Sequence, residues 1–301
     1  MTKIRSTSSS RIQDRRGQGG GGGGFGFPGL GGGGGGGLGI PMKAGGGIIG
    51  LIVLAAAILL PQLLGGNQQS LTSNGVNPDP GTDTGVTECV TEIEQVVCGG
   101  VDDVSDYWIA EWPQVFDGQY REAFTRWFSD VTNTACGQAS AQIGPFYCPA
   151  DEVVYFDLPF LVQLQDQFGA TGDLAAQYIV AHEYGHHVQN ILGISSQVSQ
   201  LQQQHPDQAN AYSVALELQA DCFAGAWAKN AEQRGQLDPG EISEALNAAA
   251  AVGDDRIQQQ AGQQINPDQF THGTSEQRVS WFRRGFDTGD PRQCNTFDEM
   301  Q

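Results

Sequence analysis

From Ala44 to Pro78 the chain carries no charged side chain, and within that run lies a predominantly apolar stretch of 17 residues, Ile48 to Leu64. Few segments constrain their surroundings as strongly. The stretch is at the short end of the roughly 17–25 residues that cross a bilayer as a helix. Uncharged glycines on both sides lengthen the tolerable segment. One transmembrane helix is therefore expected over residues 48–65. Residues 1–47 hold six basic side chains (Lys3, Arg5, Arg11, Arg15, Arg16, Lys43) and the single acid Asp14, a net of +5. Only acids follow the apolar stretch within reach, so the positive-inside rule puts the N-terminus in the cytoplasm and the rest of the chain outside. A cleaved signal peptide is the rival reading. The basic leader is long for one, and no convincing small-x-small cleavage site follows.

The same stretch divides the chain. Residues 17–47 contain 20 glycines. Such a segment buries too little apolar surface to offset its ordering entropy, so 1–47 is expected to be a disordered cytoplasmic tail. Residues 66–87 are rich in Asn, Gln, Ser, Thr, Gly and Pro and read as a linker. The folded domain is expected over 88–301. The chain's net charge is −19; removing the +5 of residues 1–47 leaves −24 on residues 48–301. So acidic a body argues against nucleic acid as a partner, because phosphate binding needs a basic face. Six cysteines all follow the apolar stretch, as suits an oxidising compartment. Short loops favour Cys89 with Cys98 and Cys136 with Cys148, which leaves Cys222 with Cys294. None of the six has zinc-knuckle spacing, so cysteine ligation of a metal is not expected.

Within the domain, Asp102 to Phe116 and Gln119 to Phe128 have helix-like apolar spacing, although the second could be a strand. Val153-Val154-Tyr155-Phe156 is short, β-branched and aromatic and reads as a strand; as a sheet edge it could align an extended substrate. Asp173 to Ile191 is a strong helix, with Asp173 able to cap its start and Gly193 beyond its end. Pro206–Arg234, Pro239–Val252 and Ser275–Phe286 are further helices. The expected class is α+β, predominantly helical, with a small β-sheet.

His182-Glu183-Tyr184-Gly185-His186 lies in the first of these long helices. Histidines four apart share a helix face, so both rings can reach one zinc ion. Glu183 adjoins the first ligand, where a general base would stand. Zinc needs a third protein ligand and an open fourth position. Glu217 is the best candidate. It lies in Ala215-Leu-Glu-Leu-Gln-Ala-Asp-Cys222 among apolar neighbours, where an ionised acid is costly unless paired or metal-bound. Asp221, one turn on, can accept the spare ring N–H of a ligating histidine. His187 points away from the ligand face and reads as a packing residue. His272, just before a helix start, is a candidate to stabilise an oxyanion, positioned by Glu276 or Arg278.

Gly144-Pro-Phe-Tyr-Cys-Pro-Ala-Asp151, His182-Glu-Tyr-Gly-His-His-Val-Gln189, Glu217-Leu-Gln-Ala-Asp-Cys222, Ala245 to Arg256 and Thr271-His-Gly-Thr-Ser-Glu-Gln-Arg278 together resemble the bacterial neutral zinc metallopeptidase family. The resemblance spans about Cys98 to Phe297. It implies a zincin-like domain behind a single N-terminal membrane anchor, a Zn2+ cofactor and a peptide or protein substrate. The Glu-x-x-x-Asp element is similar to that of thermolysin-like gluzincins, and the segment from His272 to Arg278 is similar to one in membrane-bound processing metallopeptidases, which supports His272 as a catalytic helper. The expected ligands are His182, His186 and Glu217, with Glu183 as general base. Hydrolysis of another amide, such as a peptidoglycan cross-link, by the same site is one alternative. An inactive, zinc-stabilised binding domain is the other.

Overall fold

The computed structural model describes residues 2–17, 85–168, 172–238 and 240–300. The expected membrane helix at 48–65 lies outside them, as does most of the glycine-rich tail and of the linker. Among the described residues no helix is long and apolar enough to cross a membrane.

Eight α-helices among the described residues supply most of the structure: α1 (Glu92–Val115), α2 (Leu158–Phe168), α3 (Asp173–Ile191), α4 (Ile194–Gln204), α5 (Ala209–Gln233), α6 (Glu241–Ala251), α7 (Asp254–Gln260) and α8 (Ser275–Thr288). The class is α+β and mostly helical, as the sequence indicated. Helix α3 is buried on every side through its first three turns, including Leu174, Tyr178, Val180 and Tyr184. A helix apolar all round belongs in a core. It packs against α1, α5 and α6. Its start is not capped by Asp173: the cap position is Gly172, and Asp173 lies in the first turn.

Small residues set the spacing of the helices around α3. A Cβ on Gly185 would lie 3.0 Å from Ala220 Cα, so α3 meets α5 backbone to side-chain stub. Between α5 and α8 the approach is closer. A Cβ on Gly225 would overlap the Phe282 carbonyl oxygen, and one on Gly285 would overlap that of Cys222. Gly285→Ala is therefore expected to force these helices apart and to cost at least about 1–3 kcal/mol, the usual range for overpacking. A denaturant midpoint equal to wild type would contradict this.

Four strands form the main sheet, in the order β2 (Ile12–Asp14), β4 (Phe124–Trp127), β8 (Val153–Phe156) and β7 (Phe146–Cys148). Strands β2, β4 and β8 run parallel, and β7 closes the sheet antiparallel to β8. Val153–Phe156 is thus an interior strand, with both backbone edges taken, and cannot pair with a substrate. The edge is β7. A hairpin of β5 (Val131–Thr134) and β6 (Gly137–Ser140) stands beside the sheet. Cys136–Cys148 joins the end of that hairpin to β7, while Cys89–Cys98 and Cys222–Cys294 complete the expected pairing.

The largest departure from expectation is the N-terminus. Residues 2–17 are not a disordered tail but an arm built into the domain. Besides β2, the arm contributes β1 (Ser8–Ser9), which pairs with β3 (Thr87–Glu88). Ile4 and Ile12 are core residues. Gln177 of α3 donates its side-chain N–H groups to the carbonyls of Ile4, at 2.6 Å, and Val96, at 3.1 Å, tying arm and α1 to the helix that bears the histidines. Gly99 of α1 leaves the space the arm fills, since a Cβ there would lie 2.6 Å from Arg5 Cα. The basic side chains of the arm meet the acids of the body. Arg5 bonds Asp173 at 2.6 Å, Arg11 bonds Asp106 at 2.8 Å and Glu122 at 3.0 Å, and Arg16 bonds Glu94 at 2.6 Å. Composition concealed this, because so few apolar residues in a polar leader look insufficient to order it. They suffice because the sheet and α1 already offer a partner for each.

Candidate metal centre

Helices α3 and α5 bring the predicted residues together. One ligand atom each from His182, His186 and Glu217 can be chosen so that all lie within 4.8 Å of one another. His182 Nε2 is 3.1 Å from Glu217 Oε2, and His186 Nε2 is 3.5 Å from Glu217 Oε1. The other ring nitrogens are engaged by acceptors. His182 Nδ1 donates to Asp221 Oδ1 at 2.9 Å, and His186 Nδ1 to Gln189 Oε1 at 2.8 Å. Those contacts favour the Nδ1–H tautomer of both rings, so each Nε2 presents a lone pair towards Glu217. Two imidazole nitrogens and a carboxylate, converging with protons held on the far side, are the donor set of a catalytic zinc site. The residues present fit the ion.

The electrostatics agree. Burial works against a proton on His182, but the charge and hydrogen bond of Asp221, with Glu217, outweigh it and push the ring up to about 9. Burial works to raise Glu217, yet His186 and the hydrogen bonds from both histidines hold it well below the ordinary carboxylate range. The centre is thus an anionic trap that draws protons onto the histidines, and a bound cation would displace them. Glu183 differs. Burial pushes it up further than the two histidines pull it down. A carboxylate tuned upward beside a metal centre is the usual condition of a general base.

Asp221 accepts four bonds at the base of the centre. Besides His182, it receives Arg278 Nε at 2.7 Å, Arg278 Nη2 at 2.9 Å and the Tyr178 hydroxyl. Arg278 also donates to the Val252 carbonyl at 3.1 Å. His272 lines the same cleft as the ligand residues. Its Nδ1 lies 3.1 Å from Asp254 Oδ1, while Asp254 Oδ2 accepts the backbone N–H groups of Thr271 and His272, both at 2.7 Å, and of Gly273 at 3.1 Å. The residue that positions His272 is therefore Asp254, not Glu276 or Arg278: Glu276 is exposed, and Arg278 is committed to Asp221. His187 packs as expected, with Nε2 donating to the Arg121 carbonyl at 2.6 Å and Nδ1 accepting from the Tyr147 hydroxyl at 3.0 Å.

Residues 1–297 match the family described as "Putative neutral zinc metallopeptidase". The chain belongs to this family. The match includes the N-terminal arm, so the arm is part of the family's pattern and not an appendage of this chain. The uncharacterized protein YpfJ of Escherichia coli (strain K12) is 44% identical over 269 residues, 86% of this chain and 88% of its own. The uncharacterized protein Rv2575 of Mycobacterium tuberculosis (strain ATCC 25618 / H37Rv) is 47% identical over 199 residues, 62% of this chain and 66% of its own. No solved structure matches the chain.

In this metallopeptidase-family chain, sequence reasoning left three site residues without a firm role: Tyr178, Asp254 and Arg278. Tyr178 stands one turn before His182, on the ligand face, and that spacing was a usable signal. Arg278 and Asp254 bear no periodic relation to the histidines. Only the crossing of α5 with α8, and the start of α7 beside the His272 loop, bring them in.

Proposed function

We propose that this protein is a zinc-dependent peptidase whose ion is held by His182, His186 and Glu217. The observation that carries this reading is the convergence of those three side chains with both Nδ1 positions already satisfied. Bound there, zinc supplies Lewis acidity at neutral pH. The chain's own residues do the rest. Glu183, raised by burial, takes a proton from the attacking water on its carboxylate and returns it to the departing amine nitrogen. Asp254 fixes the ring of His272 through Nδ1, and that ring faces the developing oxyanion. Asp221 and Arg278 keep the His182 ring in place. Three disulfides support an oxidising compartment outside the cytoplasm as the site of action.

The test uses the full chain. Metal analysis is expected to find one zinc per chain, and an unstructured protein such as casein to be cleaved. Chelation should abolish cleavage, and added zinc should restore it. Absence of zinc would overturn the site. Stoichiometric zinc with no hydrolysis of any peptide would overturn the activity and favour a zinc-stabilised binding domain.

A further inference from the structure

The metal centre opens into a cleft of about 300 Å³. Its lining is of two kinds. One part of the lining is the zinc-site side chains with Glu183, His272 and Arg278; among the described residues the rest carries no further histidine, arginine or glutamate and no lysine or aspartate, and polar members such as Gln138, Ser199 and Gln202 are uncharged. The apolar part of the wall is made by Ile143, Phe146, Phe160, Ile179, Val198 and Leu216. Most of these are buried side chains that turn only a fraction of their surface to the cleft. They come from six separate elements: the short 3-10 turn Ala141–Ile143, β7, α2, α3, α4 and α5. Ile179 stands one turn before Glu183 on α3, so the apolar wall begins where the proposed base ends.

The wall is also held in place. Gly144, at φ +78°, has no room for a Cβ, which would lie 2.9 Å from the Phe160 ring. The Cys136–Cys148 disulfide anchors the hairpin end to the strand bearing Phe146. Helix α4 is polar along most of its length, and Val198 is its buried residue. That one apolar side chain faces the cleft.

We propose that this cleft is the specificity pocket of the site, and that it takes a bulky uncharged side chain, aliphatic or aromatic, on the residue adjoining the bond to be cleaved. The inference rests on the peptidase reading above and adds the substrate class. Its physical basis is continuity: Ile179 adjoins Glu183 on α3, so a side chain next to a carbonyl held between Glu183 and His272 meets this uncharged wall. A leucine or phenyl group there loses apolar surface to the wall. An aspartate or lysine would lose its hydration and find no counter-charge.

The experiment separates the pocket from the reaction. Zinc-loaded full-length protein is titrated calorimetrically with N-acylated amino-acid hydroxamates that differ only in side chain. Leucine and phenylalanine are expected to bind at least about 10-fold tighter than glycine, since burying such a side chain is worth roughly 10- to 100-fold. Aspartate and lysine are expected to bind more weakly than glycine. Val198→Trp, which fills the cleft, should remove the leucine advantage; should that variant not fold, the wild-type series decides alone. A flat series, a preference for charge, or no binding of any hydroxamate would overturn the pocket. An apolar preference without cleavage of any peptide would keep the pocket and sink the peptidase reading. Cleavage at bonds flanked indifferently by charged and apolar residues would do the reverse.

Discussion

Glu183→Gln is expected to lower peptide hydrolysis by about 10²- to 10⁴-fold, the usual contribution of a positioned general base, while zinc content stays at the wild-type level. The substitution keeps the shape of the side chain and removes its ability to accept a proton. Zinc retention is expected because Glu183 is not among the converging ligand atoms; those belong to His182, His186 and Glu217. The pairing of the two measurements gives the test its force. A fall in both would make Glu183 a structural part of the centre. Full activity with full zinc would remove it from the mechanism. His182→Ala should behave differently, losing metal and activity together.

Arg278→Met is expected to destabilise the fold by about 3–5 kcal/mol, the range for breaking a buried pair by removing one partner. Arg278 makes a two-pronged contact with Asp221, which is wholly buried. Burial works to raise Asp221, and the arginine is the first of the groups that hold it below the ordinary carboxylate range. Removing that group leaves a buried acid facing only His182 and Tyr178. The double variant Arg278→Met with Asp221→Leu is expected to be more stable than Arg278→Met alone, because no charge is left uncompensated. Denaturant unfolding of both variants gives the comparison; a double variant less stable than the single would show that the pair contributes through packing and not through charge.

Much of the metal centre was legible because its chemistry is local. His182, Glu183 and His186 share one helix turn, and Glu217 and Asp221 share another; the four-residue spacing states that each pair faces one way. Helix α3 was readable over its full span for the same reason. What could not be read depended on partners distant in sequence. Phe124–Trp127 has the spacing of either a helix or a strand, and is a strand because β2 and β8 flank it. Helix α1 was expected to start at Asp102, ten residues late. Its capping box of Thr91 and Glu94 is present in the sequence, but Gly99-Gly100, poor helix formers, stand between it and the apolar spacing that begins at Asp102. Those glycines exist for neighbours: the arm crosses at Gly99, and the Gln177 side chain lies against Gly100. Helix α4 went unseen because the apolar stripe of Ile194–Gln204 is only Ile194, Val198 and Leu201, set among serines and glutamines.

The arm described at the N-terminus imposes a parity rule on the chain. Strand β2 and strand β4 are hydrogen-bonded neighbours in one sheet, so residues 12–14 and 124–127 share a compartment. A chain that crossed a bilayer once between residue 17 and residue 85 would leave them on opposite sides. A single crossing in that interval and the β2–β4 pairing therefore exclude one another in the same molecule. In spheroplasts of a bacterial host, an N-terminal epitope should be digested by added protease whenever the body is; a protected epitope beside a digested body would mean that the arm leaves the sheet. Arg5, Arg11 and Arg16, which in the bare sequence look like a topogenic signal, are counter-ions for acids of the body. A charge bias reports orientation only where the charges face lipid headgroups, and these three face protein.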